Sequence, residues 1–366
     1  MTIVILGLSI TSSWGNGHAT TYRALVRGLA SRGHDVLFLE RNVPWYAGNR
    51  DLPTPRYCRV ILYESLQDLR GLAPEIEAAD LVIVGSYVPD GIAVCRLVQS
   101  VARGCTAFYD IDTPVTLSAL QEAGAAYIER EQIPAFDLYL SFTGGPVLDR
   151  LEREFGARRA RALYCAVDPD VYVRDPGAER DVDLGYLGTY SADRQPTLER
   201  LLVEPARRWP EGRFVLAGPQ YPDGMDVPPN VTRITHLAPA EHRRFYNRQR
   251  FTLNVTRRDM IAAGHSPSVR LFEAAACGTP IISDAWPGLE AFFVPDFEIL
   301  IAREPSDVLA FLRDMPDHDR ARLGERGRRR VLGAHTAFHR AIEIEEYVRE
   351  STGAPIPVRV GHARPA

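Results

Sequence analysis

Short apolar runs alternate with stretches of helical periodicity along nearly the whole chain, the pattern of parallel strands joined by crossover helices. In the first half the runs at 3–8, 36–40, 60–63, 81–85, 106–110, 138–142 and 161–165 predict strands. Between the first two, Tyr22, Leu25, Val26 and Leu29 recur at the i, i+3, i+4, i+7 spacing of a helix with one buried face. Gly33 then stops that helix as a left-handed cap residue. The stretch 167–183 breaks the rhythm with Asp168-Pro169-Asp170 and Asp175-Pro176-Gly177. Beyond it, apolar runs at 183–187, 214–217, 231–234, 251–255, 280–283 and 298–302 restart the alternation. The expected organisation is an α/β domain over 1–166, a linker over 167–182 and a second α/β domain over 183–335. A helix over 336–352 is expected to pack back on the first half, followed by a loose tail over 353–366. Ligands of open parallel sheets sit at the carboxyl ends of the strands, so two such halves predict a cleft.

Composition narrows the partners. The 366 residues are 45% hydrophobic and 25% charged with a net charge of −4, which gives no reason to expect nucleic acid. The basic run 326–330 (Arg-Gly-Arg-Arg-Arg) reads as a solvated helix face, and a peripheral contact with an acidic membrane stays open. Cys58, Cys95, Cys105, Cys165 and Cys277 are scattered, without a C-x-x-C pair, as small buried residues would be. The opening MTIVILGLSITSS lacks a basic n-region, and no apolar run reaches the roughly 20 residues that span a bilayer. A cytoplasmic location is the expectation.

The segment 265–283, His-Ser-Pro-Ser-Val-Arg-Leu-Phe-Glu-Ala-Ala-Ala-Cys-Gly-Thr-Pro-Ile-Ile-Ser, has the grammar of a helix between two loops. Ser266 is the expected cap, Pro267 sits in the first turn, and Leu271, Phe272 and Ala275 supply the buried side. Gly278 and Pro280 end the helix, which is therefore expected over 266–277. Its N-terminus, at Ser268 and Val269, offers unpaired N–H groups to a diphosphate, and Arg270 adds a charge-assisted contact. Glu273 lies about 10 Å from Ser266 along the axis, where a carboxylate can accept ribose hydroxyls. The plainer alternative makes Glu273 a solvent-facing helix residue, against which the tight Ala274-Ala275-Ala276 run argues.

Arg-Leu-Phe-Glu-Ala-Ala-Ala-Cys-Gly-Thr-Pro-Ile-Ile-Ser (270–283) resembles the donor-site segment of GT-B glycosyltransferases, and more closely that of their CgeB-like (spore-maturation protein) branch. Residues 12–20 and 109–117 also look like that branch, so the resemblance covers most of 1–335. It implies two Rossmann-like domains with parallel sheets facing across a cleft. The implied activity is hexosyltransferase-like: a nucleotide-diphosphate sugar held by the C-terminal half, an unidentified acceptor held by the N-terminal half, and no cofactor or metal. Retaining relatives carry Glu-x(7)-Glu; Glu273 matches the second carboxylate, whereas His265 stands at the first, so their stereochemistry does not carry over. The resemblance further assigns Gly188 to a strand–loop at the donor, Arg194 to the diphosphate and His236 to the base-reading loop.

The loop between the first strand and helix carries Gly15-Asn16-Gly17-His18 but no G-x-G-x-x-G, which speaks against a nicotinamide site. In the resembling enzymes this loop, Gly17 included, meets the sugar or diphosphate. His18 is the candidate base for an acceptor hydroxyl, kept neutral by the positive helix end. Asp110 or Asp112, after the strand at 106–110, would orient it as a His–Asp dyad; capping or phosphate binding by His18 is the alternative. Asp110-Ile-Asp112 also spells the D-x-D of metal-dependent, single-domain transferases, but the two-half alternation argues against that class. Trp14, Trp45, Tyr46, Tyr87 and Trp286 are stacking candidates, with core packing the commoner fate and Trp14 favoured by its place beside the Gly loop. Two other functions share this architecture: a nucleotide-sugar 2-epimerase, and a non-catalytic protein that binds a nucleotide sugar.

Overall fold

The computed structural model describes residues 1–15, 17–122 and 124–353. Asn16 of the Gly loop and all but the first residue of the expected 353–366 tail lie outside them. Seven parallel strands form the first sheet: β1 (Thr2–Gly7), β2 (Asp35–Arg41), β3 (Arg59–Tyr63), β4 (Leu81–Gly85), β5 (Cys105–Asp110), β6 (Leu138–Ser141) and β7 (Ala160–Ala162), in the order β3-β2-β1-β4-β5-β6-β7. Six parallel strands form the second: β8 (Val182–Leu187), β9 (Phe214–Ala217), β10 (Val231–Ile234), β11 (Gln249–Asn254), β12 (Ile281–Ser283) and β13 (Leu300–Ile301), in the order β10-β9-β8-β11-β12-β13. Each apolar run of the sequence yields one strand. Strand β4, at the centre of the first sheet, is apolar throughout and every residue of it is buried, as in a parallel strand covered on both faces. The last strand is shorter than the run at 298–302, and β7 starts one residue early and ends at Ala162.

Strand order reverses between β1 and β4 in the first sheet, with Ile3 opposite Leu81, and between β8 and β11 in the second, with Thr252 opposite Gly185. These are the topological switch points at which doubly wound sheets bind ligands. The helix His18–Ser31 leaves β1 and ends as the sequence dictates: Gly33 has φ +82, its N–H reaches Ala30 O (2.9 Å) and that of His34 reaches Leu29 O (3.2 Å). That pair of bonds is a Schellman cap, which needs the left-handed residue that glycine supplies without strain.

Met1–Ala166 and the helix Ala337–Thr352 form one compact unit, and Val167–Thr336 form the other. Ala341, Ile344 and Val348 of that helix join Leu25, Val26, Leu29 and strand residues such as Ile5 and Ile83 in the core of the first unit. A Cβ at Gly28 would collide with the Ala337 carbonyl, so glycine permits the close approach of the two helices. Arg32 and His34 both bond the Glu345 carboxylate, at 2.6 and 2.8 Å. The stretch 167–182 belongs to the second unit, where Asn247 bonds the Asp175 N–H (2.7 Å) and the Val173 carbonyl (3.0 Å). In the second unit Leu184, Leu216, Phe251, Leu253 and Ile282 from the strands pack with Leu198, Leu201, Val308 and Leu312 from the helices. No helix among the described residues is long and apolar enough to cross a membrane.

Candidate active site

The 265–283 segment folds into a helix over Val269–Ala276, shorter than the expected 266–277. His265 has φ +45 and Ser268 is still extended at φ −84 and ψ +149, so the chain turns into the helix only after Ser268; Pro267 disfavours a helical Ser266 in general. Ser266 is therefore not the cap. Ser268 occupies that position, but its hydroxyl, which donates to Asn254 Oδ1 (2.8 Å), accepts no N–H from the first turn. The first-turn N–H groups thus receive no side-chain cap. At the other end Gly278 has φ +70 and the Schellman pair forms, Gly278 N–H to Ala275 O (2.8 Å) and Thr279 N–H to Ala274 O (3.0 Å).

Arg270 fills the second switch point. Its Nε donates to Leu187 O at the end of β8 (2.6 Å), and its Nη1 donates to Asn254 Oδ1 at the end of β11 (2.8 Å). The guanidinium also lies 4.6 Å over the Tyr186 ring. Nη2 is turned to Gly188: a Cβ there would stand 2.7 Å from Nη2 and 2.6 Å from the Tyr186 hydroxyl. Glycine at 188 therefore permits the close approach of the Arg270 guanidinium and the Tyr186 hydroxyl to the backbone. Gly218, with φ +141, has no room for a Cβ against the Gly188 carbonyl and locks that loop from behind. Arg194 is half-buried at the start of the next helix, bonded by Nη2 to Thr189 O (2.6 Å), with its Nε enclosed and unpartnered. Ser268, Val269, Arg270, Gly188 and Arg194 are therefore gathered on the carboxyl edge of one sheet, with a surplus of donors. His265 stands apart from its helix, its N–H on Pro287 O (2.7 Å) and its ring so close to Gly288 that a Cβ there would lie 2.5 Å away. His236 is exposed in the loop between β10 and the helix Pro239–Asn247.

Glu273 is not solvent-facing. Only 3% of it is exposed, and its two carboxylate oxygens accept the hydroxyls of Tyr172 (2.6 Å) and Tyr246 (2.9 Å). Burial first, and then the Glu273 charge, hold both phenols protonated well above their ordinary range. Each oxygen keeps a second lone pair. Tyr172 lies 101 residues away in a stretch that sequence read as linker, so nothing local announced it. A second feature the sequence did not show is the polar layer behind Arg270. Asn254 Nδ2 donates to Ser283 (3.0 Å), Ser283 donates to the Asp284 carbonyl (2.9 Å), and Asp284 accepts the Thr256 N–H (2.9 Å) and hydroxyl (2.8 Å). Burial raises the Asp284 carboxyl above its ordinary range against these bonds and the Arg270 charge.

In the first unit His18 opens the helix His18–Ser31, with Gly17 exposed at the cap and open space where its Cβ would be. His18 Nδ1 is enclosed without a hydrogen-bond partner, and burial pulls the imidazole down to about 4. Neither aspartate bonds it. Asp110 is fully buried and takes hydroxyls from Tyr139 (2.6 Å) and Thr116 (2.8 Å); burial pushes it up to about 6 against those bonds. Asp112 accepts the Tyr87 hydroxyl (3.4 Å), and the Tyr87 ring meets His18 edge-on at 5.3 Å. The direct dyad is replaced by a histidine–tyrosine–aspartate row, with Tyr87 held at φ +63 in the turn after β4. The loop leading to His18 is fixed by Glu40, whose carboxylate accepts the N–H groups of Ile10 (2.7 Å) and Thr11 (3.0 Å) and the Thr11 hydroxyl (2.6 Å).

The remaining candidates divide. Trp14 and Trp45 are 50% and 54% exposed, whereas Tyr46 and Trp286 are buried. In the 326–330 run Arg326 lies 3.9 Å over Phe297, Arg329 pairs with Glu325 (3.1 Å) and Arg330 with Glu298 (3.0 Å), whereas Arg328 Nε is enclosed without a partner. None of the five cysteines is in a disulfide, and burial pushes the thiols of Cys58, Cys95, Cys105 and Cys277 up to about 12, which leaves them unreactive. Among the described residues no group of three or more His, Cys, Asp or Glu side chains is placed to hold a metal ion.

Residues 194–346 match the family model described as "Glycosyl transferase-like". No curated protein sequence matches the chain. Among solved structures, sucrose-phosphate synthase from Thermosynechococcus elongatus is 16% identical over 96% of this chain and 99% of its own, with a TM-score of 0.66. HepE of Anabaena, in complex with UDP-glucose, is 12% identical over 96% of this chain and 100% of its own, with a TM-score of 0.68. An alpha-glucosyltransferase in complex with UDP-glucose and DNA containing an abasic site is 13% identical over 95% and 99%, with a TM-score of 0.69. The fold is GT-B.

Proposed function

We propose that the chain, which has the GT-B fold, is a glycosyltransferase that moves a hexosyl group from a UDP-sugar held by the second unit to an acceptor hydroxyl held by the first. The observation that carries this is the Arg270 guanidinium fixed across the β8–β11 switch point with Nη2 turned to a bare Gly188. A diphosphate settled there meets Arg270, the Arg194 side chain and the uncapped N–H groups at Ser268 and Val269, an anion site that needs no metal. The relatives solved with UDP or UDP-glucose support a uridine donor, with His236 in the loop assigned to the base. Glu273 takes the ribose hydroxyls through the second lone pair of each carboxylate oxygen, beside the phenols of Tyr172 and Tyr246. His265, at the position of the first carboxylate of the resembling retaining enzymes, is assigned to the donor side.

His18 is the base that removes the acceptor proton. Burial keeps its imidazole neutral at working pH, and the proton goes to Nε2 because Nδ1 is enclosed. Tyr87 positions the ring and Asp112 positions Tyr87, whereas Asp110, fully engaged by Tyr139 and Thr116, serves the frame. The 270–283 segment and residues 12–20 support membership of the CgeB-like branch, and the unreactive thiols suit a cytoplasmic enzyme.

The test is a thermal-shift panel of UDP-, GDP-, dTDP- and CMP-sugars on the full chain, followed by an assay of UDP release with candidate acceptors. A selective rise with UDP-sugars and acceptor-dependent UDP release are expected. A panel in which no nucleotide sugar raises the melting temperature sinks the proposal. Interconversion of the nucleotide sugar with no acceptor present would assign an epimerase instead.

A further inference from the structure

The second unit carries another cation cluster, on the opposite edge of its sheet from Gly188 and Ser268. Arg180 lies two residues before β8 begins, and Gly278 follows the C-terminal end of the Val269–Ala276 helix just before β12, so both mark the amino edge. Around them stand Arg174, Arg320 and Arg328. A Cβ at Gly278 would lie 3.3 Å from Arg174 Cδ and 3.7 Å from Arg328 Cδ.

Arg320 forms the floor. Only 8% of the residue is exposed, yet of its three guanidinium nitrogens Nε and Nη1 are enclosed without a hydrogen-bond partner. Nη2 alone is satisfied, by Asp317 (2.9 Å). Burying guanidinium donors unpaired costs several kcal/mol in general, so a natural protein keeps such an arrangement where a partner arrives from outside. Arg328 Nε is enclosed and unpartnered in the same way. Arg180 is half-buried, forms no ion pair among the described residues, and has its charged form disfavoured by burial and then by the Arg320 and Arg174 charges. The carboxylates nearby are already shared. Asp317 serves Arg320 and, at 3.8 Å, Arg250; Glu325 serves Arg329 at 3.1 Å and Arg174 at 3.3 Å. Arg213 and Arg250 share Asp183, and Arg248 takes Asp181.

We infer that Arg180, Arg320 and Arg174 form a second anion site for a compact tetrahedral oxyanion, a phosphate ion or phosphate monoester, separate from the donor site. A phosphate offers acceptors to the orphaned Nε and Nη1 of Arg320 and relieves the repulsion among the three guanidinium groups. Arg174 and Arg180, the more exposed members, form the mouth.

The experiment measures the melting temperature of the full chain in inorganic phosphate against sodium chloride of equal ionic strength, with glucose 6-phosphate as a second arm. Phosphate at roughly tenfold excess over its dissociation constant should raise the melting temperature by about 2–4 °C beyond chloride. A matching rise with glucose 6-phosphate identifies the monoester as the ligand; a rise with phosphate alone identifies the free ion. Arg180→Met and Arg320→Met should each abolish the phosphate rise, and Arg180→Met should melt no lower than the parent in chloride because a repelled charge is gone. Arg194→Ala, at the donor site, should leave the rise intact. The inference is overturned if phosphate acts no more strongly than chloride, or if the rise survives Arg180→Met and disappears in Arg194→Ala. Failure of the donor assignment would show in the nucleotide-sugar panel and leave these readings unchanged.

Discussion

The two sheets reverse their strand order in the same way, and one side chain fills each reversal. Between β1 and β4 it is Tyr22: a Cβ at Gly7 would lie 3.0 Å from its ring, and one at Gly85 would run into its hydroxyl. Between β8 and β11 it is Arg270. Tyr22 is wholly buried, its hydroxyl has no partner, and burial reinforced by Asp110 keeps the phenol protonated. Arg270 is as firmly held but carries a fixed charge with one nitrogen turned to open backbone. One architecture thus offers two crevices of opposite character. The first is closed and neutral, with His18 and Tyr87 in the loops at its carboxyl edge. The second holds a rigid cation whose Nη2 faces Gly188.

This contrast is broken most sharply at His18. His18→Ala should lower kcat by about 10²- to 10⁴-fold while donor affinity measured by calorimetry stays the same. A comparable loss of donor affinity would mean that His18 binds phosphate. Arg270→Lys should do the reverse, weakening UDP by roughly 100-fold, because an ammonium cannot span Leu187 O, Asn254 and the Gly188 face together.

Protonation sharpens the description of the first crevice, where both titrating groups stand. Asp110 has a folded value of about 6, above its unfolded one, so the folded state holds the proton more tightly. Its contribution is complete below about pH 4 and is lost as pH rises to 6, on the order of 3 kcal/mol. His18, depressed to about 4, has the opposite sign: its contribution is present above pH 6.5 and is lost as pH falls towards 4. The two slopes oppose each other in the parent protein. Chemical denaturation from pH 4 to 6.5 should show stability falling with pH in His18→Phe relative to the parent, and rising with pH in Asp110→Asn. Equal slopes in all three proteins would contradict both assignments.

Tyr87→Phe keeps the edge contact with His18 and removes the hydroxyl on Asp112, so kcat should fall by about tenfold or less. Adding Asp112→Asn should cost little more, whereas independent losses would separate Asp112 from Tyr87. Tyr22→Phe is the smallest change. It deletes an unsatisfied hydroxyl and should alter stability by no more than about 1 kcal/mol, in the stabilising direction.

The strands were legible because a strand covered on both faces is an unbroken apolar run, as at Leu81–Gly85. Gly33 and Gly278 were legible for a similarly local reason, since each takes the left-handed turn its helix requires. The start of the Val269–Ala276 helix was not. Its position is decided by contacts of His265 with Pro287 and Gly288, more than twenty residues on, and the cap pattern at Ser266 carries no trace of them. The surroundings of Glu273 were hidden in the same way, because Tyr172 and Tyr246 come from other segments. The expected His18–Asp pairing placed the right loops on one sheet edge. Which groups touch was settled by Tyr87, an ordinary aromatic in sequence, and by the hydroxyls that claim Asp110.

The close fit of Gly28 under Ala337 bears on the order in which the molecule can be made. A ribosome releases Met1–Ala166 long before the helix Ala337–Thr352 exists, so the nascent first unit lacks Ala341, Ile344 and Val348 in its core and Glu345 beside Arg32 and His34. Val167–Thr336 is contiguous and has all its parts as soon as it emerges. The domain translated first is therefore the domain finished last, with the helix from Ala337 as its closing piece.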